Sequence, residues 1–182
     1  YLTVVVLSVV TVIVVGLSAA TVGFCMVAAG QGLWLLVPAT VVMSLGMAPV
    51  FTIGNEIIIT TAPPERAGAA SALSETASEF SGALGIALFG SAGMVVYRRA
   101  LDVSALAELP ADALRAAGAS LGGAVHMAET LPAAQGAALL LAARGGFTDA
   151  LQGVAVTGAV IVSAAAWLVA RMLRGVTLTA SH

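Results

Sequence analysis

Two glutamates four residues apart, Glu75 and Glu79, stand in a run from 67 to 97 that is otherwise free of charge. At that spacing two side chains stack on one face of a helix. If that helix crosses a bilayer with Arg66 at one edge, Glu75 lies roughly 13 Å and Glu79 roughly 20 Å along the axis, at about 1.5 Å per residue. A charge at mid-membrane costs on the order of 3 kcal/mol on insertion scales. Stacked carboxylates also repel, so the pair is expected to hold a proton and to release it as a coupled unit. A carboxylate in a partly dry cavity is neutralised by a proton or by a cationic ligand. When both compete for the same oxygens, an entering proton expels the cation, which is antiport at one site. The alternative is that both glutamates are polar glue, hydrogen-bonded to neighbouring helices.

Other candidates carry less. Glu56, preceded by Asn55, falls about one turn from a proline hinge, where a carboxylate can reach interfacial water or serve a cavity. Met43, Met47, Phe51 and Phe24 could line an apolar drug cavity, against the plainer role of packing or facing lipid. His126 has no Cys or second His at ligand spacing, so no metal site is expected. No phosphate loop, catalytic triad or dinucleotide fingerprint is present, so no enzyme is expected, and no cofactor other than a proton as coupling ion.

The elements that must hold these residues follow from charge placement. Residues are 60% hydrophobic and only 9% charged, with a mean hydropathy of +1.06. A soluble domain is about 25% charged, and a chain this size cannot bury so much apolar surface internally. Nothing charged occurs before Glu56, in 80–97, or in 150–170. A span needs roughly 20 apolar residues, so the pattern predicts an all-α integral membrane chain with helices over about 2–29, 33–60, 67–97 and 150–174. Gly30-Gln31-Gly32 makes the first turn, and Pro63-Pro64-Glu65-Arg66 the second. Pro38 and Pro49 are tolerated inside a membrane helix. Ser74, Ser78 and Gly82 form a small-residue stripe, which marks a helix at the centre of a bundle. Trp34 and Trp167 are expected at interfaces. The seven arginines are scattered and there is no lysine, which excludes a nucleic-acid groove. Cys25 has no partner for an intrachain disulfide.

Residues 102–149 separate the last two spans. One helix is expected from Pro110-Ala111-Asp112 through Val125, and a second from about 132 to 143, ended by Gly145-Gly146. That is a helical hairpin on one membrane face. Arg66, Arg171 and Arg174 share one side of a four-span chain and Arg98 and Arg99 the other, a margin that sets no orientation. The chain opens directly in apolar sequence without an initiator Met, and reads as a fragment.

The stretch 63–90, PPERAGAASALSETASEFSGALGIALFG, resembles the 14-helix drug:proton antiporters of the major facilitator superfamily, the quaternary-ammonium and fluoroquinolone efflux pumps. In that family the penultimate helix has a similar Ala-Gly-x-Ala-x-Ala start followed by two acidic positions, matched here by Glu75 and Glu79. The second is the one tied to proton coupling and cationic substrates. Asn55-Glu56 matches a polar pair at the end of the preceding helix. Ser78, Phe80 and Ser81 depart from the family's Tyr, Leu and Gly around the second acid.

The resemblance implies that the chain is the C-terminal portion of a multidrug efflux antiporter of the bacterial inner membrane, with the hairpin outside and the tail 175–182 cytoplasmic. Its partners would be cationic or lipophilic drugs, membrane lipid and the amino-terminal part of the same transporter. The family's amino-terminal motifs are missing from this sequence, so the chain alone is not expected to transport. Two other readings stay open. One is a small four-helix multidrug antiporter working as a dimer; the other is a non-transporting membrane assembly or sensor subunit.

Overall fold

A computed structural model describes residues 2–30, 32–102, 106 and 109–176, with side chains described from 9 to 172. Gln31 of the first turn, most of 103–108, the side chain of Arg174 and the tail from 177 lie outside that description. The described elements are α1 (Leu2–Ala29), α2 (Leu33–Thr61), a 3-10 turn (Pro64–Arg66), α3 (Ala67–Leu101), α4 (Ala111–Ala117), α5 (Leu121–Thr130) and α6 (Ala133–Val176). No strand occurs among the described residues. Among the described residues four helical stretches are long and apolar enough to cross a membrane: Val9–Ala29, Leu33–Thr61, Pro64–Leu101 and Ala133–Met172.

Val-rich α1 would read as a strand in water. In hydrocarbon every backbone group must be satisfied within the segment, and the helix wins. Gly32 opens α2 at φ 121°, a conformation that L side chains rarely adopt. At the other end Ala62 and Pro63 are extended (ψ 145° and 142°), as residues before proline must be, and Pro64 starts the 3-10 turn into α3.

The chain divides into two compact units. In the first, Tyr1–Ala83 with Ala155–His182, α1 and α2 close on each other through small residues. A Cβ added at Gly16 would stand 2.5 Å from the Gly46 carbonyl oxygen, and one at Gly23 would stand 2.8 Å from the Ala39 oxygen. Gly16, Ala20, Gly23 and Val27 are all buried, at spacings of four, three and four. This seam, not the α3 stripe, is where small residues bring backbones together. Gly68 and Gly82 on α3 face open space. Near the end of α6, the Arg171 guanidinium lies 5.1 Å from the centre of the exposed Trp167 ring, a cation–π pair suited to the interface.

The second unit, Leu84–Val154, holds the insert. Its core gathers Tyr97, Leu101, Leu106, Leu109, Ala117, Ala124, Leu139, Ala143 and Ala150. Tyr97 donates its hydroxyl to the Ala117 oxygen at 2.9 Å, and Arg98 Nε donates to the Gly118 oxygen at 3.0 Å. Both bonds tie the insert to the end of α3.

Two sequence expectations are corrected here. The helix expected through Val125 is two helices, because Gly118 caps α4 and the Ser120 hydroxyl accepts the Gly123 N–H at the start of α5. Gly145 and Gly146 end nothing: α6 runs unbroken for 44 residues, roughly 66 Å at 1.5 Å per residue, twice the ~30 Å of a bilayer core. What reads as a hairpin arm plus a span is one helix. Gly146 is buried against Ala100 and the Tyr97 oxygen, so it is a packing point; Gly145 meets nothing within 4 Å.

Gly145→Ala should therefore stabilise by about 0.5–1 kcal/mol through helix propensity. Gly146→Ala should destabilise by about 1–3 kcal/mol through overpacking. Denaturant unfolding of the two variants in detergent checks the opposite signs.

Candidate functional site

The second half of α2 and the first turns of α3 form a cleft within the first unit. Val50, Phe51, Thr52, Gly54, Asn55 and Ile58 line it from α2, and Ser74, Glu75 and Ser78 from α3; it measures about 620 Å³. Phe51, Asn55 and Ile58 recur at four and three residues, so one face of α2 supplies an aromatic ring, an amide and an aliphatic chain. Ser74 and Ser78 stack on the α3 side with Glu75 beside them. The Ser74 hydroxyl donates to Asn55 Oδ1 at 3.2 Å across the helices. That bond uses the amide oxygen, and among the described residues the Asn55 NH₂ has no hydrogen-bond partner.

Chemically the cleft sets the apolar side chains of Val50, Phe51 and Ile58 beside hydroxyls, an amide and one carboxylate. Its size falls in the range of small-molecule sites, about 300–1,000 Å³. An aromatic face and an anionic oxygen both attract a cation, and Val50 and Ile58 suit its apolar body.

The sequence candidates separate in space. Glu75, Asn55 and Phe51 come together in the cleft. Glu79 sits one turn further along α3, on the same face as Glu75 by its spacing, exposed and outside the cleft lining. Glu56 is also exposed and outside it; its backbone oxygen accepts the Thr60 hydroxyl at 2.7 Å. Met43 packs in the α1–α2 seam opposite Gly23, and Met47 is half-buried; neither lines the cleft. Ser74 and Ser78 were legible only as backbone-approach residues. Their place beside Glu75, at the same spacing as the α2 face, was the available signal for a lining role.

Four apolar helices of membrane length among the described residues, with a carboxylate-bearing cleft between two of them, define a multi-pass membrane protein with a cleft of small-molecule size. Over 162 residues, 87% of this chain and 32% of the relative, it is 36% identical to the multidrug efflux pump LfrA of Mycolicibacterium smegmatis. Over 107 residues, 58% of this chain and 21% of the relative, it is 36% identical to the methyl viologen resistance protein SmvA of Salmonella typhimurium. Along these stretches the chain is similar to bacterial drug-efflux and drug-resistance proteins, in keeping with its four helices of membrane length. It spans about a third of the length of the first relative and a fifth of the second. No family model and no solved structure matches it.

Proposed function

We propose that this chain is the C-terminal portion of a proton-coupled multidrug efflux antiporter, in which Glu75 and Glu79 alternately hold protons and cationic cargo. The observation that carries the reading is the cleft itself: Glu75 faces a drug-sized space beside Phe51 and the Asn55 amide. Both relatives carry names of drug efflux or resistance, and methyl viologen is a dication with an apolar ring body.

Glu75 and Glu79 are exposed on α3, inside a membrane-length stretch. Lipid is a poor neighbour for them, at a cost on the order of 3 kcal/mol per charge. In a parent as long as these relatives, the two-thirds to four-fifths of the length that this chain does not span would supply a protein surface to cover this face. That favours a segment of a large transporter over a small four-helix antiporter or an assembly subunit, since a large parent closes the cleft without a second copy. Asn55 positions Ser74 and contacts cargo; Glu56, outside the cleft, stays at the polar end of α2.

The test uses the full-length parent in proteoliposomes loaded with ethidium. A pH gradient that drives protons against the drug should accelerate ethidium movement, and a protonophore should abolish the acceleration. Movement indifferent to the gradient would remove proton coupling from the reading; no movement of any cationic drug would remove efflux altogether.

A further inference from the structure

A second cleft lies in the other unit and shares no lining residue with the first. Arg98, Leu101 and Asp102 from the end of α3 line it together with Leu114, Arg115 and Gly118 of the insert; it measures about 390 Å³. Among the described residues each arginine is held by its Nε alone: Arg98 donates to the Gly118 oxygen at 3.0 Å, and Arg115 to the Ala111 oxygen at 3.3 Å. A guanidinium has five N–H donors in a planar fork, and among the described residues the terminal nitrogens of both have no hydrogen-bond partner. Among the described residues neither arginine forms an ion pair, with Asp102 or with any other carboxylate.

Arg98 is the first charged residue after the uncharged run 80–97 of α3, and Asp102 lies one turn further on, the place in sequence at which an apolar span meets phospholipid headgroups. We infer that this cleft binds the headgroup of an aminophospholipid, phosphatidylethanolamine. Two arginine forks match the phosphate, and arginine forks are the side chains that take phosphate in two parallel bonds. Asp102, the one carboxylate among the described lining residues, matches the primary ammonium. A purely anionic headgroup such as phosphatidylglycerol would satisfy the arginines but oppose Asp102. A quaternary ammonium such as that of phosphatidylcholine offers Asp102 no hydrogen bond. A cationic drug meets two like charges here, which separates this cleft from the cargo site. The inference rests on α3 as a membrane span and not on proton coupling.

The experiment incubates the purified full-length protein with an equimolar mixture of the three lipids of matched chain length, then reads retained adducts by native mass spectrometry. Phosphatidylethanolamine adducts should dominate, and R98Q/R115Q should lower them about tenfold. D102N, at an exposed helix end where folding is not at stake, should shift retention toward phosphatidylglycerol by a similar factor. Equal retention of all three lipids, unchanged adducts in R98Q/R115Q, or unchanged preference in D102N would overturn the assignment. So would full displacement of the lipid by inorganic phosphate, which would make this a free-anion site.

Discussion

Glu75→Gln and Glu79→Gln should both abolish concentrative ethidium efflux by the full-length parent, but for different reasons that binding can separate. Glutamine keeps the size and hydrogen-bonding reach of glutamate and removes the charge and the proton site. Glu75 lines the cleft beside Phe51 and Asn55, so its loss removes the anionic oxygen that meets a cation. Ethidium affinity should fall by about tenfold, since losing a charge-assisted contact costs about 1.4 kcal/mol. Glu79 lies outside the lining, one turn on. Its glutamine variant should bind ethidium with near-normal affinity yet no longer tie drug movement to the pH gradient. A neutral lipophilic substrate should feel Glu75→Gln far less than ethidium does. Equal losses of binding in the two variants would mean that the glutamates act as one site, and normal efflux in both would remove them from the mechanism.

Gly46→Leu should be the most damaging change outside the site. A Cβ at Gly46 would stand 2.5 Å from the Gly16 oxygen and 2.7 Å from the Ala20 nitrogen. Both obstacles are backbone atoms of α1, so no side chain can swing aside. The two helices must separate, and in lipid there is no hydrophobic force to hold them together across the gap; close packing is what binds them. The loss should exceed the ~1–3 kcal/mol typical of overpacked cores, because the whole isobutyl group has to be accommodated in the seam. SDS-induced unfolding in mixed micelles measures it, with Gly145→Ala, which meets nothing within 4 Å, as the control. A midpoint like that of the native protein would show that α1 and α2 do not rely on this contact.

Much of this architecture could be read from where charge is missing. The absence of any charged residue before Glu56 and the proline pair at 63–64 place α1, α2 and the start of α3 within a residue or so. Hydrocarbon demands helices, and only a helix break needs a sequence signal. The same logic misled at Gly145-Gly146. In water a glycine pair ends helices, whereas Gly146 is there because Ala100 and the Tyr97 backbone come too close for a Cβ. The α1–α2 seam was hidden for a related reason: in a wholly apolar run, nothing in sequence tells a glycine that packs from one that merely fits. Glu75 and Glu79 stood out by charge alone, but their separation did not. Which of two stacked acids lines a cleft depends on where α2 lies, and the Ser74–Asn55 bond that records it joins residues 19 apart in sequence.

The most direct measurement is proton release on drug binding. The full-length parent is held in detergent in a weakly buffered solution with a pH indicator, and ethidium is added to saturation. If protons and cations take turns on these carboxylates, the native protein acidifies the solution in proportion to drug bound, and the Glu75→Gln/Glu79→Gln double variant does not. Drug binding without any proton release from the native protein would contradict the exchange on which the mechanism stands.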